Sequence, residues 1–207
     1  AEGAIHPKKL VKLAQGNDMP AVAVTDTNNL FGALEFALAA AESGIQPIVG
    51  CQLAITRPGE QRSSGPPKKP DQLVVLAQNE RGYKNLMKLS SHAFLDSVAL
   101  SEPQLALDVL YQHAEGLLVL TGGPHGLVGR LLAEGQGDAA EAALLELKKH
   151  FDGHLYVELQ RHNLPLENKV EPGLIDLAYK HDIPLVATND VFFSDEGMFQ
   201  AHDALLC

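Results

Sequence analysis

Six short apolar runs alternate with helix-length amphipathic segments, and this alternation restricts the chain to few folds. The predicted strands are Pro20 to Thr25, Ile45 to Ile55 (around Pro47 to Val49 and Leu53 to Ile55), Leu73 to Ala77, Gly116 to Leu120, Leu155 to Leu159 and Pro184 to Thr188. The predicted helices are His6 to Gln15, Leu30 to Glu42, Glu80 to Phe94, Gln104 to His113, Leu127 to Ala133, Asp138 to His150, Glu171 to His181 and Glu196 to Cys207. Strands that alternate with helices favour a parallel sheet with right-handed crossovers.

No glycine-rich phosphate-binding fingerprint follows any predicted strand, so a nucleotide-binding doubly wound sheet has no positive support. A closed or nearly closed α/β barrel is the better prediction, with one further strand expected upstream of Ala1.

We expect a single domain over residues 1–207, with an exposed loop from Thr56 to Pro70. The chain starts without Met and stops inside the apolar stretch Met198 to Cys207, which suggests a fragment of a longer protein.

The net charge of −10 argues against a free-standing DNA-binding protein, since such proteins normally carry a basic face. If the chain works on DNA, another domain or subunit must supply the DNA-binding surface.

The two cysteines, Cys51 and Cys207, are far apart in sequence and do not form a disulfide framework, which fits a cytoplasmic protein. Neither a signal peptide nor an apolar run of membrane-spanning length is visible.

Small and polar residues follow five of the predicted strands. In parallel α/β barrels the active site lies at the carboxyl ends of the strands, so these residues are the candidate site. Its possible metal ligands are Asp26, Glu158, His162 and Asp190. The alternative is that such residues only cap the helices that follow. A phosphoesterase with two or three metals needs more histidines than this set offers.

Three segments resemble the PHP domain of the bacterial DNA polymerase III alpha subunit. They are AVTDTNNLFGALEF (Ala23 to Phe36), GIQPIVGCQLAI (Gly44 to Ile55) and PLVATNDVFF…AHDALLC (Pro184 to Cys207). YVELQRHNLPLEN, ERGYKNLMKLSSHAF and GAIHPKKLVKLA fit the same family. The resemblance implies a distorted (β/α)7 TIM-like barrel of PHP type at the amino end of a DNA-directed DNA polymerase, a nucleotidyltransferase whose catalytic domains lie downstream.

The resemblance also implies two alternative roles. In some members of the family a metal cluster, often zinc, makes the domain a 3′–5′ proofreading exonuclease. In others the cluster is lost, and a separate exonuclease subunit docks on the domain. The partners implied are therefore the rest of the polymerase chain, the exonuclease subunit and other holoenzyme subunits, with DNA reached only through the polymerase.

Several of the family's metal-ligand positions carry other residues in this chain. These are Thr27 for His in Thr-Asp-His, Gln52 for Glu in Gly-Cys-Glu, Gly123 for Cys after the LLVLT strand, and Phe192 for His in Asp-x-His. Asp26 and Asp190 survive, Glu2 falls near the position of an Asp, and the His-x-His motif would lie upstream of Ala1. Thr, Gln, Gly and Phe are poor donors to zinc or manganese, so we expect no catalytic metal and no cofactor in this domain.

We therefore predict a PHP domain with a degenerate phosphoesterase site, retained for structure and docking. The degenerate rim comprises Asp26, Thr27, Gln52, Gly123, Glu158, Asp190 and Phe192. The first alternative is an active metal-dependent 3′–5′ exonuclease or phosphoesterase that uses Zn or Mn in a rearranged site. The second is a metabolic barrel that binds an anionic small molecule. Arg161, taken as the only arginine after a predicted strand, argues weakly against it.

Overall fold

The structure, a computed structural model, describes residues 3–57, 69–96 and 102–206. Its helices are α1 (Pro7–Gly16), α2 (Ala33–Glu42), α3 (Glu80–Leu95), α4 (Leu107–Gln112), α5 (Leu127–Ala133), α6 (Gly137–His150), α7 (Pro165–Lys180) and α8 (Phe199–Leu206). Its strands are β1 (Ala21–Val24), β2 (Gln46–Ile55), β3 (Asp71–Ala77), β4 (Leu117–Leu120), β5 (Leu155–Leu159) and β6 (Leu185–Ala187). Every element predicted from the sequence is present, which confirms the α/β class.

The strand directions correct the prediction of a wholly parallel sheet. Neighbouring strands hydrogen-bond in the order β1-β2-β3-β4-β5-β6, and β3 runs antiparallel to both β2 and β4. The other three pairs are parallel. The chain passes from β2 to β3 through a stretch rich in Gly, Pro and Ser, with no predicted helix, and antiparallel neighbours need no crossover helix. Residues 58–68 of the loop predicted there lie outside the described residues.

Two compact units make up the described chain. The first contains the residues up to Val24, Phe31–Val49 and the residues from Asn189 onward. The second contains Thr25–Leu30 and Gly50–Thr188. Strand β2 contributes residues 46–49 to the first unit and residues 50–55 to the second.

In the first unit, α1 packs on α2 around a small core of Val11, Ala14, Phe36, Ala40 and Ile45. Strand β1 pairs in parallel with the start of β2, from Ala21 opposite Gln46 to Val24 opposite Val49. The sequence predicts α1 because its apolar residues recur at helical spacing, and Pro7 at the first turn has no N–H that a helix would need there.

The second unit carries the larger core. Its centre is built from fully buried aliphatic side chains on β2, β3 and β4, among them Leu53, Leu73 and Val119, with helices α3 and α6 contributing Leu86 and Leu144. The apolar runs Leu73 to Ala77 in β3 and Leu117 to Leu120 in β4 are continuous because side chains on both faces are largely buried. No helix in the described part of the chain is long and apolar enough to cross a membrane.

Two element boundaries differ from the prediction in ways that affect the site. Strand β2 is one continuous strand, so Gln52 lies within it and not after it. Helix α7 begins at Pro165, six residues before the predicted Glu171, and carries Pro172 in its interior. The earlier start places Glu167 in the first turn of α7, where its carboxylate can accept backbone N–H groups that the helix leaves unpaired.

Candidate functional site at the strand ends

Thr27 and Gln52, two residues of the predicted rim, lie side by side in the second unit. They form an isolated parallel bridge, and the Gln52 N–H donates to the Asp26 carbonyl at 3.1 Å. The Cys51 thiol, also on β2, lies 3.2 Å from the same Asp26 carbonyl. The segment after β1 therefore continues the sheet pairing along β2.

Asn28 fixes this segment in place, a role that the sequence pattern did not reveal. It is buried and has a positive φ of 57°, a conformation that Asn tolerates better than most residues. Its side chain accepts from the Ala54 N–H at 2.9 Å and donates to the Pro103 carbonyl at 3.0 Å. The Ser90 hydroxyl donates to its backbone carbonyl at 3.0 Å. These contacts indicate a structural residue.

Desolvation raises the pKa of two groups here. Asp26 lies at the surface, but the protein atoms around it exclude enough water to raise its pKa above the usual 3.8. Desolvation also raises the pKa of Cys51 to about 12, with a smaller contribution from the charge of Asp26. The Cys51 thiol is therefore protonated at neutral pH, since thiolates form only near or above the pKa.

Glu158 connects the ends of three strands in the second unit. It lies in β5 with 2% of its surface exposed. One carboxylate oxygen accepts from the Gly122 N–H after β4 at 3.0 Å, and the other accepts from the Thr188 hydroxyl after β6 at 2.5 Å. The Glu158 N–H in turn donates to the Thr121 hydroxyl at 3.0 Å. Both carboxylate oxygens are thus engaged within the protein.

Gly123, where the resemblance places a cysteine of the family, adopts a backbone conformation that disfavours a side chain. Its φ is +54°, in the left-handed region. Space itself is not limiting, because a Cβ built there would lie 3.4 Å from the Gln160 side chain, an ordinary contact. The short turn that begins at Gly123 is therefore shaped for glycine.

His162, the histidine among the four possible metal ligands predicted from the sequence, is oriented by Glu167. Its Nδ1 lies 2.7 Å from one Glu167 oxygen, and the other oxygen accepts the His162 and Leu164 N–H groups at 2.7 and 3.1 Å. Burial by itself raises the pKa of Glu167, but these hydrogen bonds outweigh it and hold the pKa below the usual 4.5.

Asp190 and Phe192 belong to the first unit. Asp190 is exposed, and the Phe192 carbonyl accepts from the Ala4 N–H at 2.8 Å. The Phe192 ring lies against His202, with 5.8 Å between ring centroids and an angle of 21° between planes. Phe192, which the resemblance places at a histidine position, is thus an aromatic ring packed against another ring.

An ion-pair network that the sequence reasoning missed lies at the edge where β2 ends. Asp71, the first residue of β3, pairs with Ile55 in the sheet and is 1% exposed. Arg130 contacts both of its oxygens, at 2.6 and 3.0 Å, and the Arg57 Nε lies 3.2 Å away. Arg57 follows β2 by two residues, so the statement that Arg161 is the only arginine after a strand is wrong.

The donor set does not fit a catalytic metal cluster. Within residues 3–57, 69–96 and 102–206, no three His, Cys, Asp or Glu side chains are grouped so that they could hold a metal ion. Next to Asp26 in the chain and the sheet stand a hydroxyl residue, an amide residue and a protonated thiol, and Glu158 is bonded to protein groups. These are poor ligands for zinc or manganese.

Comparisons with known proteins give a consistent result. A family model for the PHP domain matches residues 1–162. The chain is 48% identical over 206 residues to the DNA polymerase III subunit alpha of Caulobacter vibrioides, covering 100% of this chain and 18% of the relative. It is 40% identical to the same subunit of Rickettsia bellii, covering 99% of this chain and 17% of that one. The chain thus spans less than a fifth of the length of these relatives.

Solved structures with little sequence identity share the fold. A proposed metal-dependent phosphoesterase from Bifidobacterium adolescentis is similar with a TM-score of 0.56 at 16% identity, covering 98% of this chain and 92% of that one. An amidohydrolase from Chromobacterium violaceum, with bound sulfate and no metal, is similar with a TM-score of 0.53 at 14% identity, with the same coverages. Likenesses at this identity show the fold alone.

Proposed function

Because the chain belongs to the PHP domain family, whose model matches 162 of its 207 residues, we propose that it is the PHP part of a DNA polymerase III alpha subunit and serves assembly rather than catalysis. The 48% identity to the Caulobacter subunit along the whole chain supports this context. The barrel is proposed to be the distorted (β/α)7 type, with the strand upstream of Ala1 completing it.

The proposal that this site is degenerate is supported by the side chains found at the strand ends. Thr27 and Gln52 are neighbours at positions where the family has His and Glu, so two strong donors are missing at one place. Glu158 holds strand ends together, and the Gly123 backbone disfavours a cysteine. An ion that turns water into a nucleophile needs several such donors, so this unit lacks the ligands for phosphodiester hydrolysis.

Restoring the two missing donors tests this proposal. We expect the Thr27→His, Gln52→Glu double variant to bind Zn²⁺ at least tenfold more tightly than the unmodified chain by isothermal titration. Gln46→Glu, the same amide-to-carboxylate change at an exposed position of the same strand, is the matched control and should change nothing. Hydrolysis of a 3′-terminal phosphodiester by the unmodified chain with Zn²⁺ or Mn²⁺, abolished by Asp190→Ala, would overturn the proposal.

The second part of the proposal is that the chain docks the proofreading exonuclease subunit. An exposed apolar stripe on the first unit supports a docking role. Leu34 and Leu38 lie one turn apart on α2 and are 70% and 58% exposed, and Phe31, two residues before the helix, is 89% exposed. Large apolar side chains grouped on a surface commonly mark a protein interface.

Surface variants of the stripe separate docking from general stability. We expect Leu34→Glu together with Leu38→Glu to weaken binding of the exonuclease subunit at least tenfold in biolayer interferometry. Leu145→Glu, at a leucine on α6 in the other unit that is 41% exposed, should leave the affinity unchanged. If the unmodified chain does not bind the exonuclease subunit at micromolar concentration, the docking role is refuted.

A metal-dependent 3′–5′ exonuclease with a rearranged site is the second candidate. One observation favours it: desolvation raises the pKa of Asp26, and shifted pKa values are common for functional carboxyl groups. Zinc or manganese would be its metal. Stoichiometric metal located beside Asp26 by anomalous scattering would favour this candidate over the first.

A further inference from the structure

Two histidines of the second unit come together away from the strand ends. His92 lies in the last turn of α3, and His113 is the first residue after α4. Their ring centroids are 5.7 Å apart, with 50° between the ring planes. Neither residue falls at a position discussed for the PHP metal site, so what this pair does is independent of the proposed function.

Each ring is held by its Nδ1 atom. The His92 Nδ1 lies 2.8 Å from the Asp96 carboxylate, and the His113 Nδ1 lies 2.9 Å from the Val109 carbonyl. A carbonyl oxygen and an ionised carboxylate can only accept, so in both neutral rings the proton sits on Nδ1. The lone pair of each ring is therefore on Nε2, which makes no hydrogen bond to any residue that the structure describes.

We propose that His92 and His113 form a two-histidine site for a divalent transition-metal ion of the zinc type. With Zn–N bonds of about 2.0–2.1 Å, a zinc ion lies about 3.2 Å from each ring centroid, and tetrahedral ligation puts the centroids about 5.2 Å apart. The observed 5.7 Å is within about half an ångström of that separation.

The groups behind the rings suit this role. Histidine ligands of metals commonly donate their other N–H to a carboxylate or a backbone carbonyl, which fixes the tautomer and raises the basicity of the ligating nitrogen. Asp96 and the Val109 carbonyl occupy these two places. Water can reach the pair, since His92 also lines an open groove of about 400 Å³ along α3 and its side chain is 42% exposed.

The ligand type decides which metal binds. Two neutral imidazoles favour Zn²⁺, Ni²⁺ and Cu²⁺ over Mg²⁺, Ca²⁺ and Mn²⁺, which prefer oxygen. No third His, Cys, Asp or Glu joins the pair among the residues that the structure describes, so water fills the remaining coordination positions. This makes the site a moderate-affinity one, unlike a closed structural zinc site with four protein ligands.

Zinc titration of the whole chain, free of any histidine tag and in excess Mg²⁺, tests the site. We expect one zinc to bind and expect His92→Gln or His113→Gln to weaken that binding at least tenfold. His150→Gln is the matched control: its ring stacks on Tyr111 at 3.9 Å and contacts Glu146, and its removal should change the affinity less than twofold.

Anomalous scattering at the zinc edge supplies a second readout that does not depend on the variants folding. We expect a peak between the His92 and His113 rings in zinc-soaked crystals of the unmodified chain. Absence of that peak at millimolar zinc, or zinc affinity unchanged when both histidines are replaced, would overturn the proposal. A peak only beside Asp26 would also overturn it, while favouring the second candidate function.

Discussion

Replacing Glu158 with leucine tests whether one buried carboxylate holds three strand ends together. Its oxygens accept from Gly122 at 3.0 Å and Thr188 at 2.5 Å. Hydrogen bonds to a charged group contribute about 1.5–3 kcal/mol each, so losing both removes about 3–6 kcal/mol. Burial of the leucine side chain offsets about 1–2 kcal/mol of this loss. We expect the free energy of unfolding to fall by about 2–4 kcal/mol.

Two further variants provide a milder change at the same position and a control at an exposed position. Glu158→Gln keeps the shape and can still accept from Gly122 and donate to the Thr188 hydroxyl, so it should lose only about 1 kcal/mol. Glu115→Leu is the matched control, because Glu115 is 73% exposed and pairs at the surface with Arg81. It should change the free energy of unfolding by less than about 1 kcal/mol.

Urea unfolding followed by circular dichroism measures these differences. For a chain of this size about 1 kcal/mol shifts Tm by about 2–4 °C, so Glu158→Leu should lower Tm by about 4–16 °C. A loss below about 1 kcal/mol at an unchanged m value would refute the reasoning that Glu158 joins the strands.

Three other predictions concern carboxyl groups of the second unit. Asp71→Ala should lower the free energy of unfolding by about 3–5 kcal/mol in urea, because the partly buried Arg130 loses both contacts with Asp71 and keeps only the contact with Glu134; a change under about 1 kcal/mol would contradict this. Asp26 has a raised pKa, so its contribution to stability is present below pH 3.8 and is lost as pH rises through the folded value. Asp26→Asn should therefore raise Tm at pH 7 and have little effect near pH 3.5, and a lower Tm at pH 7 would count against this. Glu167 has a lowered pKa, so its contribution is present above pH 4.5 and is lost as pH falls through the folded value. Glu167→Gln should lower Tm at pH 7 with the difference closing in acid, and a difference independent of pH would contradict the contribution of the His162 contact.

The sequence predicted the elements well because their signals are local. The spacing of Leu10, Leu13 and Ala14 identifies α1, and the apolar run from Leu73 to Ala77 identifies β3. An apolar run says nothing about its direction, so the antiparallel β3 was missed. The start of α7 was missed although Pro165 and Glu167 are N-terminal signals, because the interior Pro172 argues against a helix through that point.

The sequence could predict where the site residues lie relative to the strands, but it could not predict what each side chain does. Glu158 reads as a possible ligand in sequence, and its bonding partners lie 36 and 30 residues away. The neighbouring sequence does not distinguish a carboxylate that can bind a metal from one that is hydrogen-bonded to other parts of the protein. The Asp71 network was missed for the same reason, since Arg130 is 59 residues away. The degenerate site and the docking role stay predictions until the experiments above are done.

The left-handed backbone at Gly123 bears on how such a domain can evolve. A single codon change could return a cysteine there, but the new residue would meet a backbone conformation that costs an L-amino acid roughly 1 kcal/mol or more. The backbone, and not a lack of space, therefore opposes a cysteine at this position. A change from cysteine to glycine would relieve that strain, whereas the reverse change would need accompanying changes in the turn.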